Sequence, residues 1–237
     1  MPIMNEKVIA VPGNQEKSTW LKDYFDVNPW FIFLLCCVSF LLTLYIRNTV
    51  IITDAIYYNT FVEKIAYDQI DNMIQIRKDH MWLGYIFDLL IIPIQLFFVT
   101  ICLNIGTLLM QWQIKFTQLF SLSTKAFIVF AFQRIFQSLY LLHTPVETFE
   151  DLVNANLFSL QRWLDFTEIP GWLSYPLGLI NLFEFLFFLL LAFGLAKLLS
   201  KDFKSSLKFV ALTYGIGLFI WMCVVAFLYL NLSNTSG

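Results

Sequence analysis

Five polar side chains lie inside long apolar stretches of this sequence, and their types and depth suggest chemistry. Glu184 sits in the run NLFEFLFFLLL, with Asn181 one helical turn before it. Asp88 and Gln95 belong to an earlier run, and Arg134 to the one between, flanked by Gln133 and Gln137. A charge in hydrocarbon costs about 2.5–3.5 kcal/mol on the insertion scale, so each needs a partner or a task. Asp88 and Arg134 fall at similar depth in two neighbouring antiparallel runs, which predicts an ion pair or a water-bridged contact. Glu184, near the middle of its run, must face other helices. Together with Asn181, Asp88, Gln95 and Arg134 it could form a proton or substrate site. The preferred reading of the same five is a structural polar cluster that fixes helix packing.

Other reactive side chains give weaker signals. His80 and His143 each sit beside the end of an apolar run, as a metal pair or as two interfacial histidines. Cys36, Cys37, Cys102 and Cys223 all lie in apolar runs, where they read as small packing residues. No GxSxG, HExxH or phosphate-loop motif occurs. No enzyme activity, metal or other cofactor is therefore expected. Lys197, Lys201, Lys204 and Lys208 form a basic group that could meet anionic lipid headgroups or simply anchor a cytoplasmic loop.

The elements that must position these residues follow from composition. Of 237 residues, 59% are hydrophobic, 18% aromatic and 14% charged, and the net charge is -2. Soluble domains carry about 25% charged residues, so this chain has too little polar surface for water. The aromatic content excludes a disordered chain, and the lack of basic excess excludes nucleic acid as a partner. The expected class is an all-α, polytopic integral membrane helix bundle.

Five spans are expected, at about 30–46, 81–110, 119–142, 172–199 and 207–230. The first opens at Asn28-Pro29, where proline loses no helical hydrogen bond. Its uncharged core is about 17 residues, the lower limit for crossing. Pro93 is expected to bend the second. Two interfacial amphipathic helices are expected between spans. One lies within 47–80, with Phe61, Ile65, Ala66, Ile70, Met73 and Ile74 on its apolar face. The other lies within 144–170, built on Leu152, Leu157, Leu160, Trp163, Leu164 and Phe166. A tail and interfacial segment, 1–28, precede the 29–230 membrane domain, and a polar tail, 231–237, follows it.

Lysine and arginine placement orients the bundle. Lys7, Lys17, Lys22, Lys115, Lys125 just beyond it, and the group from Lys197 to Lys208 share one side. The other side holds Arg47, Lys64, Arg77, Lys78 and Arg162 diluted by acids, and a C-terminal tail without a basic residue. The expected orientation is N-terminus inside, C-terminus outside.

The last four spans also echo each other. Gly106 precedes a polar turn and then Phe116, and Gly194 precedes a polar turn and then Phe203. Each glycine permits close helix approach, and each phenylalanine can pack back under its turn.

Three stretches resemble the Yip family of Ypt-interacting membrane proteins, in its short prokaryotic branch. They are Ser18-Thr19-Trp20-Leu21-Lys22 through Asn28-Pro29, then Lys115 to Phe120, then Ile180 to Glu184 with Phe193 to Lys197 and Asp202 to Leu207. The resemblance implies five spans with a cytosolic N-terminus, in a bacterial cytoplasmic membrane, and no catalytic residues. The family's Asp-Leu-Tyr-Gly-Pro motif is absent, so Rab-type GTPase binding is not implied. The leading expectation is a non-enzymatic scaffold or partner subunit that contacts lipid, other membrane proteins or itself. The rival is a small transporter or permease subunit in which Glu184 couples ion or substrate movement. A membrane-embedded enzyme would need His80, His143 and acids to converge.

Overall fold

The computed structural model describes residues 24–154, 158–159 and 170–235. Residues 1–23 of the tail and interfacial segment expected over 1–28, and most of the second interfacial helix, including Leu157, Leu160, Trp163, Leu164 and Phe166, lie outside the described residues. The described residues contain no strand and five helices long and apolar enough to cross a membrane, Pro29–Ile51, Tyr67–Leu109, Phe116–His143, Leu182–Leu199 and Phe203–Leu232. The chain is an all-α membrane helix bundle.

Helix α1, Pro29–Ile46, starts where Asn28 accepts a hydrogen bond from the Trp30 amide at 3.0 Å, with proline in the first turn. Its buried face, Ile32, Cys36, Phe40 and Thr43, recurs at helical spacing. The opposite face, with Leu34, Leu35 and Leu42, is exposed and suits acyl chains. A π-helical turn, Arg47–Ile51, extends α1.

The interfacial helix expected within 47–80 is not one element. Helix α2, Asp54–Phe61, ends in a turn, and α3, Tyr67–Leu109, then runs 43 residues without a break. At 1.5 Å per residue α3 is about 65 Å long, roughly twice the hydrocarbon thickness. The reason is local. Asp68 through Lys78 contains neither glycine nor proline, so nothing separates the amphipathic segment from the span. Ile70 and Ile74 are buried as the periodicity predicts, whereas Met73 is exposed. Arg77 donates to the Ile52 and Asn48 carbonyls at 3.0 and 2.7 Å, fastening α3 to the end of α1. The α3 helix also continues through Pro93.

Span three is two helices, α4, Phe116–Ala126, and α5, Ile128–His143, joined at Phe127. A short α6, Phe149–Asn154, packs Phe149 on Tyr57 and Phe61 of α2. The fourth span, expected as one helix over 172–199, is broken. Helix α7, Gly171–Leu179, is followed by extended Ile180, and α8, Leu182–Leu199, restarts at Asn181. Span five is α9, Phe203–Val210, a π turn Ala211–Gly215, and α10, Ile216–Thr235. The polar tail expected from Asn231 is helical through Thr235, and the Asn231 side chain donates back to the Phe227 carbonyl at 2.8 Å.

The core gathers Phe40, Leu96, Leu103, Leu122, Phe127, Phe187, Leu191, Phe209 and Tyr214. Between lipid-immersed helices, close packing rather than water exclusion supplies the attraction, so small residues matter at the contacts. A side-chain carbon at Gly106 would come within 2.8 Å of the Phe209 ring, and one at Gly194 within 2.8 Å of the Phe25 ring and into contact with Leu122.

This extends the echo of the two turns. Hairpin α3–α4 turns at Gln111 and hairpin α8–α9 at Ser200, both in the left-handed conformation (φ 56° and 51°). Phe116 and Phe203 open the returning helices. Leu103, Leu122 and Phe127 are buried at places matched by Leu191, Phe209 and Tyr214. Gly106 of the first hairpin meets Phe209 of the second, and Gly194 of the second meets Leu122 of the first. The two hairpins run in the same sense, so they form a parallel internal repeat.

Candidate functional site

The break in span four builds the site. Asn181 serves both half-helices. Its Oδ1 accepts from the Glu184 amide at 2.9 Å, capping α8, and its Nδ2 donates to the Gly178 and Leu179 carbonyls at 3.1 and 3.2 Å, at the end of α7. The Leu182 amide, another orphan donor of α8, reaches the Phe158 carbonyl at 3.1 Å. Unpaired backbone at membrane depth is thus satisfied by one side chain and one returning loop.

The cap puts Glu184 in the first turn of α8 rather than at mid-helix. The residue is 8% exposed. Tyr214, within the π turn of span five, donates its hydroxyl to Glu184 Oε1 at 2.6 Å. The α8 amino terminus adds a positive dipole end to the same corner.

Asp88 and Arg134 form the expected ion pair, in two parallel contacts. Arg134 Nη1 lies 2.8 Å from one carboxylate oxygen and Nη2 lies 2.7 Å from the other. The guanidinium also stacks over Phe40, 3.9 Å from the ring centre. A fork-to-fork pair on an aromatic face satisfies both charges.

A cavity of about 420 Å³ lies between these groups, within the range usual for small-molecule sites. Gln95, Arg134, Asn181 and Glu184 all line it, so four of the five residues singled out in the sequence converge there. The fifth, Asp88, lines a neighbouring cavity of about 270 Å³ with Arg47, and Arg134 and Gln137 border both. Aromatic and aliphatic walls from Phe98, Phe130, Leu218 and Trp221 complete the larger cavity. Trp221 Nε1 donates to Tyr175 Oη at 3.1 Å, in the second hairpin at the place where Arg134 bridges to Asp88 in the first.

Sequence reasoning missed Tyr214, Arg47 and Lys125. Tyr214 carried one signal, a phenol in the apolar fifth span. Lys125 was counted only among the basic residues of the inner side, yet it is buried, with Nζ donating to the Phe25 carbonyl at 2.6 Å while the Tyr24 hydroxyl donates to the Lys125 carbonyl at 2.6 Å. Burial pushes the Tyr24 hydroxyl above its ordinary range. Asp26 pairs with Lys197 at 2.7 Å, so the segment before α1 is clamped at the end that holds both hairpin turns.

The remaining candidates do not join this site. His80 and His143 each place Nδ1 against a carbonyl of the preceding turn, at 2.9 and 2.8 Å. Among the described residues no group of three or more histidine, cysteine or acidic side chains could hold a metal ion. The four cysteines are free thiols. Lys201 lies over the Trp112 ring at 3.7 Å, while Lys204 and Lys208 are exposed one turn apart. No protein-family model, curated protein or solved structure matches this chain.

Proposed function

We propose that the chain is a small, non-enzymatic carrier or permease subunit whose intramembrane cavity binds its ligand and whose Glu184 carboxyl couples that ligand to an ion. The observation that carries this reading is the convergence of Gln95, Arg134, Asn181 and Glu184 on one cavity at a helix break. Broken helices and internal repeats around a site between them are the usual construction of transporters. A polar cluster serving packing alone would close on itself, whereas this one faces open space.

The protein sits in a bacterial cytoplasmic membrane, N-terminus cytoplasmic and C-terminus outside. Supporting the orientation, Lys115 and the lysines from Lys197 to Lys208 lie at the end where α1 begins. Exposed Lys204 and Lys208 there suit anionic headgroups. The scaffold role that the Yip-like motifs imply rests on those three stretches alone.

Reconstituting the full chain into vesicles that enclose a pH dye tests the proposal. Cationic, neutral and anionic amphiphiles are offered in turn. At least one class should drive proton movement through the wild-type protein and fail to do so through folded Glu184→Gln. Absence of movement with every class, or equal movement through the variant, would overturn it.

A further inference from the structure

The charges lining the cavity identify the class of ligand. Arg134, the one cationic side chain among its described lining residues, is already neutralised by Asp88 and stacked on Phe40. No lysine lines it. The Glu184 carboxyl accepts from the Tyr214 hydroxyl and, among the described residues, pairs with no cation; its backbone amide is taken up by Asn181 Oδ1. Among the described lining residues its carboxylate is therefore the one formal charge left without an opposite charge. Phe98, Phe130, Tyr175 and Trp221 line the same cavity, and aromatic ring faces attract cations rather than anions.

We propose that the cavity takes an apolar organic monocation, an amine or quaternary ammonium with an aromatic or aliphatic body. This rests on the carrier reading above. The ammonium head would approach Glu184 beside Tyr214, and the body would fill the space walled by Ile91, Phe98, Leu218 and Trp221. Gln95 and Gln133 supply hydrogen-bonding walls for an amine that keeps its protons. A volume of about 420 Å³ admits a ligand of small drug size. Proton and ligand then compete for one carboxylate. Each leaves the cavity neutral when bound, and loading both costs an unpaired positive charge, so the two exchange one for one.

The test uses the full chain in mild detergent and three probes of one shape. They are 4-phenylbutyl-trimethylammonium, its uncharged carbon isostere with tert-butyl in place of trimethylammonium, and 5-phenylpentanoate. Equilibrium dialysis should show the ammonium binding roughly tenfold tighter than the isostere, or more, and the carboxylate weakest. Glu184→Gln, which can still accept from Tyr214, should erase that preference, bringing the ammonium to the level of the isostere. Leu218→Trp, which fills the cavity from another wall, should abolish binding of every probe. If the isostere or the carboxylate binds wild type as tightly as the ammonium and Leu218→Trp blocks it, the cation assignment falls and the cavity stands. If no probe binds, or Leu218→Trp changes nothing, the ligand cavity falls with it. Should Glu184→Gln not fold, the three-probe ranking on wild type decides alone.

Discussion

Tyr214 donates its hydroxyl to Glu184 across 2.6 Å, joining the irregular turn of span five to the restart of span four. Each partner answers a need of the other, since both polar groups lie in a bundle with little water to replace them.

Removing that hydroxyl gives a first prediction. Tyr214→Phe keeps the ring that meets Phe187 edge-on at 5.5 Å and removes only the donor. Membrane hydrogen bonds of this kind contribute about 0.6 kcal/mol on average and up to about 1.7. Unfolding in mixed micelles should show a loss within that span, and Glu184→Leu combined with Tyr214→Phe should cost less than the two single losses together.

The Asp88–Arg134 pair predicts a larger effect. Breaking one side of a buried ion pair leaves a stranded charge and costs about 3–5 kcal/mol. Arg134 is about one-third exposed, which places the expected loss at the lower end of that range. Asp88→Asn alone and Arg134→Gln alone should each destabilise the bundle strongly in the same micelle titration. The double variant should recover most of the loss.

The reciprocal glycines should behave alike. Gly106→Leu drives a side chain into Phe209 and Thr213, and Gly194→Leu into Leu122 and Phe25. Overpacking costs about 1–3 kcal/mol. Both variants should lower the thermal midpoint, whereas Gly84→Leu, with open space beside it, should not.

A pH-dependent prediction concerns the loop before α6. Asp151 accepts from the Thr148 and Glu147 amides at 2.8 and 3.0 Å and from the Thr148 hydroxyl. These bonds, led by the Thr148 amide, hold its carboxyl below the ordinary value of 3.8. A depressed folded value stabilises the loop above the ordinary range, and the effect fades as pH falls through the folded value. Deuterium uptake by segment 144–152, corrected for intrinsic rates, should differ between wild type and Asp151→Asn at neutral pH. The difference should shrink as pH falls below the ordinary carboxyl value and through the depressed folded one.

The sequence made the bundle legible because hydrocarbon demands long uncharged helices, and little else produces the run from Trp30 to Ile46. It also made the Asp88–Arg134 pair legible, since two opposite charges at matching depth have few other ways to be satisfied. The break at Ile180 was not legible from hydropathy, because Asn181 is short, polar and isolated in a run that stays apolar on both sides. Its capping preference was the available signal. Helix α3 was split in expectation because polarity changes near Met81, but polarity sets what surrounds a helix and not where it ends. Lys125 was read by its position in the chain, and only the folded bundle brings the Phe25 carbonyl to it.

The reaction of Glu184 with dicyclohexylcarbodiimide tests the central claim most directly, since this reagent modifies protonated carboxyls in apolar surroundings. The full chain in vesicles is treated and its modified peptides are read by mass spectrometry. Glu184 should be labelled while Asp88, paired with Arg134, is spared, and Leu218→Trp should slow the labelling. Glu184 left unmodified, or modified at the same rate with the cavity filled, would contradict a ligand-accessible carboxyl in the membrane.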